Sequence, residues 1–395
     1  MKKKVFIITG SRSEYGLLKN LIIEIKKIKK FQTKLIATGM HYSKKHGSTF
    51  KEITNDGFKI NYKINLNLKG DSNTEVTKSI GTGIKLFTKI FSSDKPDLII
   101  ILGDRHEILP PAIVSLILRI PVAHISGGEI TEGAIDNSIR HCLTKLSHFH
   151  FVASAKYKRR VIQMGELPKN IFVTGGLGVD AIKNTNFLNK RQLEKKLNFK
   201  FREENTVVTF HPVTLENNSS KKQFKQILLA LNEFKKMGII FTMPNNDPGY
   251  SPIFNMIKSF VKKNKNSKYY VNLGHLKYFS CLKYSKYVLG NSSSAIHEVP
   301  SFKIPSINVG NRQKGRIKSS STINCKPEKK SIMKAFKKAD LLYKSNKLTN
   351  VKNPYGIPGS SKKISKILKN LKLENIIKKK FFNISFWMYQ KWKKL

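Results

Sequence analysis

Acidic residues and arginines are scarce in this sequence of 395 residues. It contains 25 aspartates and glutamates against 74 lysines and arginines, a formal net charge of +49, and only ten of the basic residues are arginine. A basic surface attracts phosphates, so nucleic acids and anionic membranes have to be considered as partners. However, arginine is the side chain that reads guanine and phosphate with paired hydrogen bonds, and the lysines are dispersed along the whole chain. No zinc knuckle, helix-turn-helix or RNA-binding aromatic motif is present, so we expect no nucleic-acid partner.

Cysteines and long apolar runs are also scarce. Cys142, Cys281 and Cys325 are too few and too far apart for a disulfide framework or a metal site, which fits a reducing compartment. The amino-terminal apolar run Val5–Ile8 is shorter than the roughly seven residues of a secretory signal. No run approaches the roughly 18 apolar residues of a membrane-spanning helix. We therefore expect a soluble, cytoplasmic protein without a bound metal.

Short apolar runs alternate with helix-like segments, a pattern typical of parallel sheets covered by helices. The segment from Tyr42 to about Thr74 is polar and is expected to be rich in loops. The alternation predicts an α/β protein with two Rossmann-like, doubly wound domains. Strands are expected at Val5–Thr9, Lys34–Thr38, Leu98–Leu102, Val122–Ile125, Phe149–Ala153, Ile171–Thr174, Val207–Phe210, Gly238–Met243, Tyr269–Leu273, Tyr287–Leu289 and Ile304–Val309.

The length of the chain exceeds what a single core usually holds, which also favours two domains. We place the first domain at residues 1–175 and the second at 176–364, with a helix from about residue 365 packing back on the first. The tail at 371–395 mixes lysines with aromatic residues. We expect it to pack against the first domain as a terminal helix. The alternative is weak contact with an anionic membrane surface.

Acidic residues and histidines cluster between Leu98 and His141, although acids are rare elsewhere. Two strand-length apolar runs each end in a polar loop there. Because the carboxyl ends of parallel strands meet at one edge of a sheet, these side chains are expected to lie close together. Helix capping and solvation explain any one of them, whereas the whole group favours an active site. Its members are Asp104, His106, Glu107, His124, Glu129, Glu132, Asp136 and His141.

Phosphate-binding features occur in both halves, although the dinucleotide fingerprint G-x-G-x-x-G is absent. The glycine turn 10–16 joins the first strand to a helix and leaves free backbone N–H groups. In the second half, Gly290-Asn291-Ser292-Ser293-Ser294 precedes another helix, and Arg312 follows the next strand. Hydroxyls and N–H groups at a helix start suit a phosphate, although ordinary capping explains them as well. Together with Glu298, they favour a site for a diphosphate and a sugar.

Several polar motifs occur in one order along the chain. They are Gly10-Ser11-Arg12-Ser13-Glu14-Tyr15, Gly103-Asp104-Arg105, Gly127-Gly128-Glu129 through Ile135-Asp136, Ser138-Ile139-Arg140-His141, His211-Pro212-Val213-Thr214, Gly290-Asn291-Ser292-Ser293 and Gly310-Asn311-Arg312-Gln313. Together they resemble those of the hydrolysing UDP-N-acetylglucosamine 2-epimerases of sialic-acid and related nonulosonic-acid synthesis, and the resemblance extends from about Val5 to Leu368. It implies the two-domain GT-B fold with an active site in the cleft between the domains. It also implies a reaction without metal or cofactor that yields UDP and N-acetylmannosamine.

The resemblance also implies roles for individual residues, with a nucleotide sugar as the binding partner. The catalytic group is Asp104, Arg105, Glu129, Glu132 and Asp136, of which Asp104, Glu132 and Asp136 are the acid and base candidates. Arg12 and Glu14 would lie near the phosphates and the sugar. The diphosphate would be held by His211, Ser292, Ser293 and Arg312. Glu298 would bind the ribose hydroxyls, and Asn245 and His275 would line the nucleotide pocket.

One position departs from the family pattern. Some members carry a glutamate where this chain has Ser126, and the loop that follows is one residue longer here. We expect Glu132, or else Glu129, to supply the missing carboxylate. The departure is also compatible with another sugar, such as UDP-2,4-diacetamido-2,4,6-trideoxyglucose or a GDP-linked analogue on the legionaminic-acid route.

Three other functions stay open at this point. A glycosyltransferase of the same fold would need an acceptor, and a non-hydrolysing epimerase would return the sugar still attached to UDP. A binding-only module would bind the nucleotide without releasing UDP, and the acid cluster argues against it. A homo-oligomer, either a dimer or a tetramer, is expected.

Overall fold

The computed structural model describes residues 2–68, 70, 72–216, 219–245 and 247–385, which form two sheets of parallel strands. The first sheet has the order β3-β2-β1-β4-β5-β6-β7, and the second has the order β10-β9-β8-β11-β12-β13. The first contains β1 (Lys3–Thr9), β2 (Phe31–Thr38), β3 (Tyr62–Ile64), β4 (Leu98–Leu102), β5 (Val122–Ile125), β6 (Phe149–Val152) and β7 (Ile171–Val173). The second contains β8 (Asn205–Thr209), β9 (Gly238–Thr242), β10 (Ser267–Tyr270), β11 (Tyr287–Gly290), β12 (Ser306–Val309) and β13 (Thr322–Cys325).

Helices cover both sheets and alternate with their strands. Among the described residues, none of these helices is long and apolar enough to cross a bilayer. In chain order they are α1 (Arg12–Lys26), α2 (Phe50–Asn55), α3 (Asn73–Ser93), α4 (Leu109–Ile117), α5 (Asp136–Leu146), α6 (Ala155–Gln163), α7 (Leu177–Lys183), α8 (Lys190–Leu197), α9 (Ser219–Leu231), α10 (Tyr250–Lys263), α11 (Gly274–Lys283), α12 (Ser294–His297), α13 (Lys329–Lys344) and α14 (Ser360–Asn370).

The first sheet is buried on both faces, which explains the unbroken apolar runs of its strands. Val5 of β1 belongs to the same core cluster as Leu18 of α1. The next residue, Phe6, faces the other side and packs in the cluster of Phe87 and Phe91 from α3. Full burial of such a side chain contributes about 1.5–3 kcal/mol, so the sheet holds its helices on both faces firmly.

Each sheet has a switch point in its strand order near its centre. In the first, β1 lies between β2 and β4, and in the second, β8 lies between β9 and β11. In doubly wound sheets, ligands bind beyond the carboxyl ends of the strands at such a point. The predicted α/β class with two doubly wound sheets is therefore confirmed, and the loops after β1, β4, β8 and β11 define where a ligand is expected.

The sequence pattern misses two strands and one helix. Strand β3 and helix α2 lie inside the segment from Tyr42 to Thr74 that was expected to be rich in loops, and β13 follows the last expected strand. The loop expectation is therefore wrong for β3 and α2. Strand β3 has only three residues, and β13, which lies outside that segment, is polar at alternate positions. Neither element carries enough apolar residues to stand out in a sequence window.

The chain returns to the first sheet after it has completed the second. Ile364 and Leu368 of α14 belong to the core cluster of the first sheet, together with Leu177 of α7. The returning helix begins at Ser360, five residues before the expected position. The domain division at residues 175 and 364 stays a prediction.

Asp180 of α7 fixes the start of this returning helix. One carboxylate oxygen accepts hydrogen bonds from the N–H groups of Gly359 and Ser360, and the other accepts one from Ser361 at 2.5 Å. The side chain is buried. A carboxylate at a helix amino terminus satisfies N–H groups that have no partner within the helix and interacts favourably with the helix dipole.

The described part of the tail packs against the first sheet without forming a helix. The Lys379 ammonium lies 2.8 Å from a carboxylate oxygen of buried Glu166, and the Phe382 N–H donates to the Gly165 carbonyl at 2.8 Å. The expectation of a terminal helix is therefore wrong as far as residue 385. The aromatic segment Phe386–Lys394 lies outside the described residues.

Replacing Asp180 with alanine should leave several buried N–H groups without a partner. We expect a decrease of about 1–3 kcal/mol in the free energy of unfolding, measured by urea denaturation. Glu374→Ala serves as a control because that side chain is 75% exposed in its ion pair with Lys3. Its effect should stay within about 0.5 kcal/mol. Equal effects of the two substitutions would contradict the anchoring role of Asp180.

Candidate active site

A cavity lies between the carboxyl ends of the two sheets and encloses about 1350 Å³, including its opening to solvent. Thirteen of the fourteen predicted site residues line it, and Glu132 does not. The structure therefore brings together Arg12, Glu14, Asp104, Arg105, Glu129, Asp136, His211, Asn245, His275, Ser292, Ser293, Glu298 and Arg312.

Asn291 ties together the two loops that follow β8 and β11. Its Oδ1 accepts a hydrogen bond from the His211 N–H at 2.7 Å, and its Nδ2 donates to the His211 carbonyl at 2.9 Å. Gly290 precedes it at φ +135°, where a Cβ atom would lie 1.9 Å from the Thr209 carbonyl oxygen. Only glycine fits this close approach. The arrangement places His211 and Ser292 on the same wall of the cavity.

Asp104 follows β4 and is paired with guanidinium groups. Arg140 Nη2 forms an ion pair with Asp104 Oδ2, and Arg316 Nη2 lies 3.9 Å from the same oxygen. Arg140 is 1% exposed and also donates to the carbonyl oxygen of Glu129 at 3.0 Å. Nearby positive charge favours the ionised form of a carboxyl group. Asp104 is thus a carboxylate held in a fixed place on the cavity wall.

Asp136 is the first residue of α5 and has the opposite electrostatic environment. Burial raises its pKa, and the carboxylate of Asp247 raises it further, while Arg312 and Arg105 oppose the change. A like charge close to a buried carboxyl group favours its protonated form. Asp136 can therefore hold a proton more readily than an ordinary aspartate.

Glu14 also favours its neutral form. Burial and the charge of Glu107 raise its pKa to about 8, although Arg105 opposes the change. Its Oε2 accepts a hydrogen bond from the Gly10 N–H at 2.6 Å, which fixes the side chain at the turn after β1. At neutral pH, Glu14 is a carboxylic acid that can donate a hydrogen bond into the cavity.

Glu129 is a buried carboxylate at the back of the cavity. Its Oε2 lies 3.2 Å from His297 Nε2 and 3.4 Å from Arg316 Nη2. Burial opposes its ionisation, but the charges of His297 and Arg316 outweigh burial and lower its pKa. Glu129 therefore occupies the place expected of the carboxylate that compensates for Ser126, which lines the same cavity.

Glu132 lies apart from these groups. Its side chain is 47% exposed, and Oε2 lies 2.9 Å from the ammonium of Lys314, which is itself 66% exposed. The Glu132 backbone N–H also donates to the Lys314 carbonyl at 3.2 Å, so the residue lies against the Lys314 loop. This position disagrees with the expectation that Glu132 acts as an acid or base.

Arg12 is a half-buried cation held by an amide. Its Nη1 donates to Asn272 Oδ1, and the Asn272 Nδ2 donates to Glu52 Oε1 at 2.6 Å. Desolvation lowers the pKa of Arg12, because it penalises the charged form. A partly desolvated guanidinium that contacts a neutral amide is suited to an anionic ligand.

Four functional residues were not among the predicted ones: Arg140, Asp247, His297 and Arg316. The scarcity of arginine is a signal that could have found two of them. Five of the ten arginines line the cavity, namely Arg12, Arg105, Arg140, Arg312 and Arg316. In a chain that otherwise uses lysine, arginine marks places where a planar donor array is needed. Within the described ranges, no group of three or more His, Cys, Asp or Glu residues is arranged to hold a metal ion.

The second sheet contributes the wall that contains Glu298. This side chain is 6% exposed, and burial raises its pKa. A Cβ atom on Gly178 would lie 2.5 Å from Glu298 Oε1, so a larger residue at this position would displace the Glu298 carboxyl group. Nearby, the Tyr278 hydroxyl donates to Ser294 Oγ at 2.7 Å. This wall offers carboxyl and hydroxyl groups to a polar ligand.

Solved structures share this architecture. The crystal structure of a UDP-GlcNAc 2-epimerase from Methanocaldococcus jannaschii, in complex with UDP-GlcNAc and UDP, matches with a TM-score of 0.77. The match covers 92% of this chain and 99% of that chain at 23% identity. The predicted GT-B-like fold is therefore confirmed.

Sequence comparison gives the family. The family model described as UDP-N-acetylglucosamine 2-epimerase matches residues 23–369. A GDP/UDP-N,N'-diacetylbacillosamine 2-epimerase (hydrolyzing) from Campylobacter jejuni is 41% identical over 385 residues, covering 97% of this chain and 100% of the relative. A UDP-N,N'-diacetylbacillosamine 2-epimerase (hydrolyzing) from Legionella pneumophila is 33% identical, covering 95% and 98%. The chain therefore belongs to the UDP-N-acetylglucosamine 2-epimerase family.

Proposed function

We propose that this enzyme hydrolyses a UDP-linked 2-acetamido sugar and inverts the configuration at C2, releasing the free sugar and UDP. The proposal rests on one observation, that carboxyl groups with different protonation preferences and several arginines line the same cavity. Asp104 is paired with cations, Asp136 and Glu14 favour their protonated forms, and Arg12 and Arg312 line the same space. Proton transfer at carbon and departure of a diphosphate need these two kinds of groups together.

The proposed reaction has two stages. A carboxylate removes the C2 proton, the electron pair of the C–H bond forms the C1–C2 double bond, and the C1–O bond breaks with its electrons leaving on UDP. The product of this elimination is a glycal. Water then adds its oxygen to C1, and a proton is delivered to C2 from the face opposite the one that lost it. The products are UDP and the 2-epimeric free sugar.

We assign the base to Asp104 and the acid to Asp136. Arg140 and Arg316 beside Asp104 favour the carboxylate that removes a proton. Burial and Asp247 raise the pKa of Asp136, which suits a group that delivers a proton. Carboxyl groups kept in opposite protonation states are the requirement for acid–base chemistry in one site.

We propose that the leaving diphosphate binds to the side of the cavity formed by loops of the second sheet. Arg312 is 8% exposed and follows β12, and Ser292 and Ser293 precede the short helix α12. His211 lies on the same wall, and burial lowers its pKa to about 3, so it is a neutral ring. Preorganised donors in a closed cleft stabilise charge that develops on the leaving group.

Nucleoside contacts are assigned to the remaining polar residues of this wall. Glu298 would accept the ribose hydroxyls, and Asn245 and His275 would face the base. Burial lowers the pKa of His275 to about 4, so this ring is also neutral. Neutral donors and acceptors suit a nucleobase, which carries no charge.

The sugar we propose is UDP-2,4-diacetamido-2,4,6-trideoxyglucose, used in nonulosonic-acid synthesis such as the legionaminic-acid route. Two relatives that match almost the whole chain carry diacetylbacillosamine in their names, which is this sugar. Ser126 lines the cavity and an adjoining pocket with Leu17, Leu102 and Val179. A small residue beside apolar walls leaves room for a methyl or acetamido group.

UDP-N-acetylglucosamine is the second candidate substrate. A polysialic acid biosynthesis protein from Escherichia coli is 37% identical over 335 residues, which favours the sialic-acid route. A glycosyltransferase activity and the GDP-linked sugar stay as alternatives. The cytoplasmic location, the dimer or tetramer and the membrane contact of the tail stay predictions.

Proton NMR of the purified protein with each candidate UDP- and GDP-sugar in D₂O tests the reaction and its substrate. We expect consumption of the diacetamido donor and a free sugar as the product. We also expect deuterium at C2, because the acid that delivers the proton to C2 exchanges with D₂O. Retention of the nucleotide on the product would indicate a non-hydrolysing epimerase. A requirement for an acceptor would indicate a glycosyltransferase.

Asp136→Asn should abolish proton delivery while leaving the cavity intact. We expect the kcat for formation of the 2-epimeric free sugar to fall about 10²–10⁴-fold while the glycal accumulates, with UDP affinity within a few-fold of the parent. The matched control is Glu132→Gln, which changes an exposed carboxylate of the neighbouring loop and should turn over at the parent rate. A comparable loss in Glu132→Gln would return the acid or base role to Glu132.

Glu14 should make stability depend on pH. Its carboxyl group ionises in the unfolded chain near pH 4.5 but stays neutral in the folded protein up to about pH 8. The unfolded state therefore binds fewer protons across this window, and stability falls as the pH rises through it. Urea denaturation at several pH values should show Glu14→Gln gaining a few kcal/mol relative to the wild type between about pH 5 and 8. A difference that does not change with pH would contradict the neutral Glu14.

A further inference from the structure

Asp247 is a buried carboxylate that takes no direct part in the bond-making and bond-breaking steps above. It lies between β9 and α10 on the second sheet and is 4% exposed. Arg105, from the loop after β4 of the first sheet, donates from Nη1 to Asp247 Oδ1 at 3.0 Å. The pair therefore crosses the cleft between the two sheets.

The other oxygen of Asp247 faces the groups that we assign to the diphosphate. Oδ2 lies 3.7 Å from Arg312 Nη2 and 3.9 Å from His211 Nδ1, and no hydrogen bond to it is found among the described residues. Burial alone would raise the pKa of Asp247, but the charges of Arg105 and Arg312 outweigh it and lower the pKa to about 2. Asp247 thus keeps its negative charge and lies behind Arg105, Arg312 and His211 of the cavity wall.

Arg105 has a second buried carboxylate on its own side of the cleft. Its Nε and Nη2 donate to Glu107 at 3.2 and 3.3 Å. The guanidinium is therefore clamped between Glu107 of the first sheet and Asp247 of the second. Its orientation depends on the two sheets lying in their present relative position.

We propose that Asp247 is a positioning residue that holds Arg105 and Arg312 in place across the cleft. The inference rests on the proposed function, since it concerns the same acid and the same diphosphate contacts. Asp247 does not line the cavity, so it acts through the two arginines and through its charge. That charge also raises the pKa of Asp136, on which Arg312, Arg105 and Arg316 act as well.

The first test is a titration that needs no turnover. The protein is labelled with ¹³C at the aspartate side-chain carboxyl, and the resonance missing from Asp136→Asn identifies Asp136. In Asp247→Asn we expect the Asp136 midpoint to fall by about one pH unit or more, because a nearby negative charge is removed. An unchanged midpoint overturns the inference.

The second test separates charge from position. Asp247→Glu keeps the charge but displaces the clamp on Arg105, so its Asp136 midpoint should stay near that of the wild type. Turnover should nevertheless fall about 100-fold, since small displacements of a reacting group are this costly. Parent-like turnover in both Asp247 variants overturns the positioning role.

Glu166→Gln is the matched control. Glu166 is also a buried carboxylate with basic partners, namely His150, Lys145 and Lys379, but it lies away from the cavity. If the loss of any buried charge were enough to impair the enzyme, Glu166→Gln would be impaired as well. We expect instead that the Asp136 midpoint and the turnover of Glu166→Gln equal those of the wild type. If the wild type itself releases no UDP from any candidate sugar, the proposed function fails. If it does and Asp247→Asn behaves like Glu166→Gln, the inference alone fails.

Discussion

Mutual neutralisation of buried charge is the constraint on which this structure depends. An ion moved out of water loses several kcal/mol of solvation, and only well-placed opposite charges and hydrogen bonds offset that loss. The cavity meets the constraint by alternating the signs of its groups. Glu129 lies between His297 and Arg316, and Asp247 lies between Arg105 and Arg312. Many of these pairs join the two sheets, so the contacts that stabilise the buried charges also hold the cleft closed.

The same arrangement makes chemically similar side chains behave differently. Asp104 and Asp136 are both aspartates beyond the first sheet, yet one is paired with guanidinium groups and the other faces a second carboxylate. Elimination and hydration at a sugar carbon need a proton acceptor and a proton donor in the same site. Both aspartates line one cavity. The difference lies in the neighbours, and most of these neighbours belong to distant parts of the sequence.

The framework could be predicted from the sequence because its strands are apolar throughout and its helices alternate with them. The site could be predicted where a motif follows a strand, as Asp104 follows β4 and Ser292 follows β11. The exposed position of Glu132 was not predicted because loop spacing does not reveal which of two nearby glutamates turns inward. Asp247 and Arg140 were missed because their importance comes from contacts with residues 142 and 36 positions away. Such contacts are set by how elements distant in the sequence pack together, which no local pattern encodes.

A crystal structure of Asp104→Asn, which lacks the proposed base, with an intact UDP-2,4-diacetamido sugar tests the central claim most directly. We expect C2 of the sugar to lie between position 104 and Asp136, with the diphosphate against Arg312, Ser292 and Ser293. A sugar that lies outside the cleft, or a C2 atom beyond hydrogen-bond reach of both positions, would contradict it.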